Sequence, residues 1–200
     1  MKTALHLSVF LLMASIASTG CAVLLPKKDA TRFYQLTPLL RTSGGASVPL
    51  KHPIVLNLQI AGHLQNASLA ERVAPNQIQY RFSDQWALPL VDGLDQALRD
   101  NLTQITGVQV VRAGEKYLTH DVYPIEIQIR ELELLPGHRV QLAASWRIQG
   151  TGSDKRTLVG EFRQETTYPV ERNTVQGAVM AFSRMLSDLT RQVASDLQGI

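Results

Sequence analysis

The side chains in this sequence that first suggest covalent or metal chemistry are one thiol and a few imidazoles. Cys21 is the lone cysteine of 200 residues, so no disulfide partner exists within the chain. It stands in "ASIASTGCAVLLPKK", residues 14–28. Upstream, Lys2 supplies an early positive charge and residues 4–17 form an apolar run. That run is shorter than the roughly 18–20 residues a permanent bilayer-spanning helix needs. A charged start, a short apolar segment and small residues at its end predict a secretory signal peptide over residues 1–20. Cleavage between Gly20 and Cys21 makes the thiol the first residue of the mature chain. It can then carry a diacylglycerol, and the freed amine can take an acyl chain such as palmitate. At roughly 0.8 kcal/mol per buried methylene, one chain binds a membrane marginally and two or three hold durably. Ser18-Thr19-Gly20-Cys21 resembles the bacterial lipobox, with Ser18 where Leu is usual. A catalytic cysteine would need a base held beside it in a folded pocket, which a leader does not offer.

The other reactive groups form no constellation. His52, His63, His120 and His138 include no i,i+4 pair and no ligand spacing, so no metal site is expected. His120-Asp121 reads as a polar turn, and Gly150-Thr151-Gly152 as a hairpin turn with no phosphate-cradling helix after it. No G-x-S-x-G elbow is present. Glu131 and Glu133 share a strand face by period and read as a solvated edge, since an acid/base pair would need unequal burial. Asn66-Ala67-Ser68 and Asn101-Leu102-Thr103 match the glycosylation pattern without a bacterial use for it. No enzyme activity and no cofactor beyond the covalent N-acyl diacylglycerol on Cys21 are expected. Tyr80, Phe82 and Trp86 cluster before the first helix. The favoured reading is core, or a hydrophobic staple at the helix start. The functional alternative is a partner-binding anchor.

Hydrophobic residues at 44% against 18% charged are ordinary for a globular domain. The formal charge of +3 loses Lys2 with the leader and becomes +2, dispersed enough that nucleic acid is not an expected partner. One local excess exists in residues 22–52, where Lys27, Lys28, Arg32, Arg41 and Lys51 face Asp29 alone. Beside a lipid anchor it reads as attraction to anionic head groups, or equally as a solvated linker.

The elements that carry these residues follow from period. Strands are expected at 31–40, 53–62, 77–82, 108–113, 121–136, 138–150 and 156–170. The stretch 63–76 reads as irregular, with a short strand near Arg72-Val73. The segment 41–49 is a Gly/Ser-rich loop, and Pro136-Gly137 a turn with Pro second and Gly third. A helix from Pro89 to about Thr106 has its stripe at Val91, Leu94, Leu98, Leu102 and Ile105, with Pro89 in the first turn and Gly107 as its stop. A second helix, 175–197, places apolar residues at 175, 179, 182, 186, 189, 193 and 197, with Asn173 and Gln176 as a capping box. The fold class is therefore α+β: a twisted, mostly antiparallel sheet with two helices packed on one face and a polar outer face. The organisation is a signal peptide at 1–20, a lipidated tether at 21–30 and one periplasmic domain at 31–200.

"YRFSDQWALPLVDGLDQALRDNLTQ" (80–104), with the lipobox, "RFYQL" (32–36), "VQLAASWRIQG" (140–150) and the terminal helix, resembles the ABC-type transport auxiliary lipoprotein family, PqiC-like subgroup. The most specific piece is Trp86-Ala87-Leu88-Pro89-Leu90. The resemblance implies a non-enzymatic subunit on the outer membrane, facing the periplasm, whose partner is an inner-membrane MCE-domain protein (PqiB-like) of a lipid transport system. Residue 22 is Ala rather than the Asp that resembles an inner-membrane retention signal, which points to the outer membrane. Two other classes stay open: a periplasmic lipid-binding carrier, and a structural lipoprotein of another envelope machine such as a secretion system. Self-association into a homo-oligomer is also open.

Overall fold

The computed structural model describes residues 29–38, 50–115, 121–151, 156–169 and 174–200. Cys21, the loop 41–49, His120 and the expected cap Asn173 lie outside them. Residues Thr31–Ile200 form a compact unit. Its strands are β1 (Arg32–Tyr34), β2 (Ile54–Ile60), β3 (Ser68–Ala74), β4 (Gln77–Trp86), β5 (Val110–Arg112), β6 (Tyr123–Leu135), β7 (Arg139–Gln149) and β8 (Thr157–Thr167). The helices are α1 (Leu90–Thr106) and α2 (Thr174–Leu197).

β6 is the spine of one open, mixed and mostly antiparallel sheet. On one flank it pairs antiparallel with β7, and β7 with β8, as the three-strand meander predicts. On the other flank it pairs in parallel with β2, from Ile54↔Tyr123 to Ile60↔Ile129. After a 3₁₀ turn at Gly62–Gln65 the chain rejoins the same flank as β3, at Glu71↔Leu134. β5 joins β2 in parallel, β4 joins β3 antiparallel, and β1 joins β4 in parallel. A bulge in β6 between Ile129 and Glu131 inserts Arg130 as an extra residue opposite β7. The shift lets both Ile129 and Leu132 face the core.

The helices cover one face. Leu94, Leu98 and Leu102 of α1 are buried, as are all seven predicted stripe positions of α2. α1 lies against β2 and β5, α2 against β7 and β8, and the helices touch each other. Opposing them are Ile54 and Leu56, Ile125, Ile127 and Ile129, and Val140, Leu142, Ala144 and Ile148. Each fully buried aliphatic side chain of this size contributes about 1.5–3 kcal/mol. Gly107 ends α1 in the left-handed region at φ 73°, where its N–H meets the Thr103 carbonyl. Pro89 is the N-cap, with non-helical backbone, rather than a residue of the first turn. Asp95, buried on α1, receives Arg99 from its own helix at 2.8 Å and Arg112 from β5 at 2.9 Å.

Other boundaries differ from the periodic reading. The first strand shrinks from 31–40 to three residues, although Tyr34 and Leu36 are buried and Phe33 exposed, as alternation requires. The irregular stretch after residue 62 holds a full strand, β3. β4 continues four residues past the expected 82, because Asp84 and Trp86 enter the sheet.

Candidate docking surface

The chain enters the domain at β1, and two contacts from β1 to one carboxylate of β4 fasten it there. Asp84, 2% exposed, accepts the Tyr34 hydroxyl at 3.2 Å and the Arg32 guanidinium at 2.7 Å through Oδ1. Its Oδ2 accepts Arg81 Nε at 3.2 Å, and Arg81 also reaches Glu71 at 3.0 Å. A three-residue parallel ladder is short, so these polar contacts carry much of what holds β1 to β4. A buried carboxylate with three donors is stable where a lone one would not be.

The aromatic cluster separates into three roles. Trp86 is buried, its ring centroid 6.4 Å from that of Phe182 on α2. Tyr80 is half-buried, and its hydroxyl donates to the His63 carbonyl at 2.9 Å. Phe82 is 73% exposed. The core reading therefore fits Trp86, and only Phe82 presents its ring to solvent. Among the described residues β1 covers only Asp84–Trp86, so Gln77–Phe82 of β4 have no strand on that side.

A second polar centre escaped the sequence reading. Glu133, expected on a solvated edge, is 0% exposed. It accepts Arg72 Nη2 at 2.7 Å, Gln141 Nε2 at 2.8 Å and a contact from His63 Nε2 at 2.8 Å. Burial acts to raise its carboxyl; the bonds from Arg72 and Gln141, the Arg72 charge and the His63 bond outweigh that and hold it below the usual carboxylate range. Glu131 on the same face keeps some exposure and pairs with Arg163 at 2.7 Å. The unequal burial of the two acids is thus present, and the buried one is held by Arg72, Gln141 and His63. It joins β3, β6, β7 and the 3₁₀ turn on the sheet's outer face. Strict alternation would place Glu133 with Ile125, Ile127 and Ile129; the bulge at Arg130 turns it to the outer face, where Arg72 of β3 is its cationic partner. His52 and His138 make edge contacts with Tyr123 and Tyr168, each at 5.7 Å. Among the described residues no three His, Cys, Asp or Glu side chains are grouped to hold a metal.

Two surface grooves are prominent. One, about 510 Å³, lies on the outer sheet face among Gln59, Glu126, Gln128, Arg147, Val159 and Glu161. The other, about 400 Å³, runs between β1 and α2 along Phe33, Gln35, Gln176, Val179, Met180 and Ser183. Among the described residues no helix is long and apolar enough to cross a membrane.

The profile of the ABC-type transport auxiliary lipoprotein component family matches residues 34–194, from the strand clasped by Asp84 to the last turns of α2. The chain belongs to this family. Among solved structures, one of an uncharacterized protein is similar at a TM-score of 0.67 with 15% identity, covering 84% of this chain and 98% of that one. A Xanthomonas campestris protein of family DUF330 is similar at 0.64 with 16% identity, covering 82% and 93%. At those identities the likeness concerns the fold. No curated protein matches the sequence. The auxiliary lipoprotein family assigns the chain an accessory role in transport.

Proposed function

We propose that this auxiliary lipoprotein is a non-enzymatic subunit of an MCE-type intermembrane lipid transport system, held on the periplasmic side of the outer membrane by acyl chains on Cys21. The observation that carries the reading is the family match, which begins at Tyr34, thirteen residues after that cysteine. The body receives an inner-membrane MCE-domain protein, and Phe82 on the uncovered run of β4 is the contact we assign to it. An apolar anchor beside a free strand edge suits addition of a partner strand or loop. Tyr80 of the same strand bonds the His63 carbonyl instead, and Trp86 packs on Phe182.

The test is capture of membrane proteins by the acylated protein, read by mass spectrometry. Recovery of an MCE-domain protein, lost on Phe82→Ala, is the expected result. Undiminished recovery by Phe82→Ala removes the assigned surface, and an eluate without an MCE-domain protein removes the assigned partner.

A further inference from the structure

Five large hydrophobic side chains are exposed among the described residues: Phe33, Phe82, Leu88, Val159 and Met180. Two of them, Phe33 at 64% and Met180 at 50%, line one groove. Val179 lines it between them, and the Thr37 N–H donates to Ser183 Oγ at 3.1 Å, holding the chain after β1 on α2. The exposure is therefore built on a fixed framework, with an apolar aromatic on one lip and a flexible thioether on the other.

Position in the chain says what covers it. Thr31, where the compact unit starts, lies ten positions after Cys21. Fully extended, that stretch spans at most about 35 Å, so β1 stays within that distance of the bilayer holding the acyl chains. Charge agrees. Lys27 and Lys28 precede β1, and Arg184, one turn beyond Met180 on α2, is exposed. An exposed cation near an apolar rim, with two more in the chain that precedes β1, suits an interface of anionic head groups over acyl chains. The outer sheet face lacks this character: Val159 there sits among Glu126, Arg147 and Glu161.

We propose that the groove between β1 and α2, rimmed by Phe33 and Met180, rests on the surface of an anionic phospholipid bilayer. This second contact orients the domain that the lipidated cysteine tethers, and turns the outer sheet face toward the periplasm. It rests on the anchoring reading of Cys21.

Cys21 is the lone cysteine, and once acylated its sulfur is a thioether, so an introduced cysteine becomes the sole labelling site. Full-length lipoprotein carrying Phe33→Cys, Met180→Cys or, as a control, Glu161→Cys is labelled with an environment-sensitive nitrobenzoxadiazole dye. It is then reconstituted in vesicles of phosphatidylethanolamine and phosphatidylglycerol containing spin-labelled lipid. The expected result is lipid quenching several-fold stronger at 33 and 180 than at 161, weakening when phosphatidylcholine replaces phosphatidylglycerol. Equal quenching at the three positions overturns the proposal. So does shielding at 33 and 180 that persists in detergent and fades on dilution, which assigns the groove to a second copy. Labelling of the parent protein, with no introduced cysteine, marks failure of the anchoring reading instead.

Discussion

The indole of Trp146 lies against the α-carbon of Gly160 on the neighbouring strand: a β-carbon at position 160 would fall 2.2 Å from Cζ2. The two are cross-strand partners between β7 and β8. From there the indole N–H donates to Asp196 Oδ2 on α2 at 2.9 Å. The glycine thus makes room for a ring that joins two strands to the last helix.

Gly160→Ala therefore forces a buried ring out of its site. We expect a loss of about 1–3 kcal/mol, with Val worse than Ala, read as a lower urea midpoint. Trp146→Phe, which empties part of the site and leaves Asp196 without its donor, relieves the penalty of Gly160→Ala. Additive losses in the double variant would contradict this contact.

Glu133 makes stability depend on acid. Its folded carboxyl titrates below the ordinary value of 4.5, so the unfolded chain binds the proton more readily. The contribution is complete above the unfolded value and lost as pH falls through the folded one. Thermal melts should show wild type losing more stability on acidification than Glu133→Gln. At neutral pH the variant should already be lower by about 1–3 kcal/mol, since Arg72 loses its charged acceptor. Parallel acid curves for the two proteins would sink the assignment.

Asp84 fastens β1. Asp84→Asn keeps the shape but removes the charge facing Arg32 and Arg81. Hydrogen exchange should rise at Tyr34 and Ala87, whose N–H bonds the Tyr34 carbonyl, while the β6–β7 ladder keeps its protection. Unchanged exchange at β1 would show that its ladder alone suffices.

The two aromatics of β4 should behave oppositely. Trp86→Ala removes a buried ring and costs about 3–5 kcal/mol. Phe82→Ala removes an exposed one and should shift stability by less than about 0.5 kcal/mol. Equal destabilisation would mean that Phe82 packs against the body.

The helices were plain in the sequence because each buries a stripe with the 3.6-residue period, and Leu94–Leu98–Leu102 admits no other reading. The β6–β7–β8 meander was plain too, since long alternating runs are separated by the Pro136-Gly137 and Gly150-Thr151-Gly152 turn signals. Less visible was what depends on pairing at a distance. β3 reads SLAERVA, in which Glu71 and Arg72 break the alternation because each serves an ion pair. Only a short strand near Arg72-Val73 was expected there, and with its pairing to β6 unread no cation could be placed beside Glu133. The parallel pairing of β2 with β6 joins residues about seventy apart in the chain through no local signal. Phe82 and Trp86 look alike in sequence; the irregular pairing of β4 with β3 between Arg81 and Gln85 separates their environments. Cys21 was read from its neighbours alone, since a leader and its cleavage site act before folding.

The most direct measurement is the mass of the N-terminal peptide from protein purified out of membranes. The account predicts a peptide beginning at Cys21 that carries a thioether-linked diacylglycerol and an amide-linked acyl chain. A peptide beginning at Met1, or a Cys21 with an unmodified thiol, would contradict it.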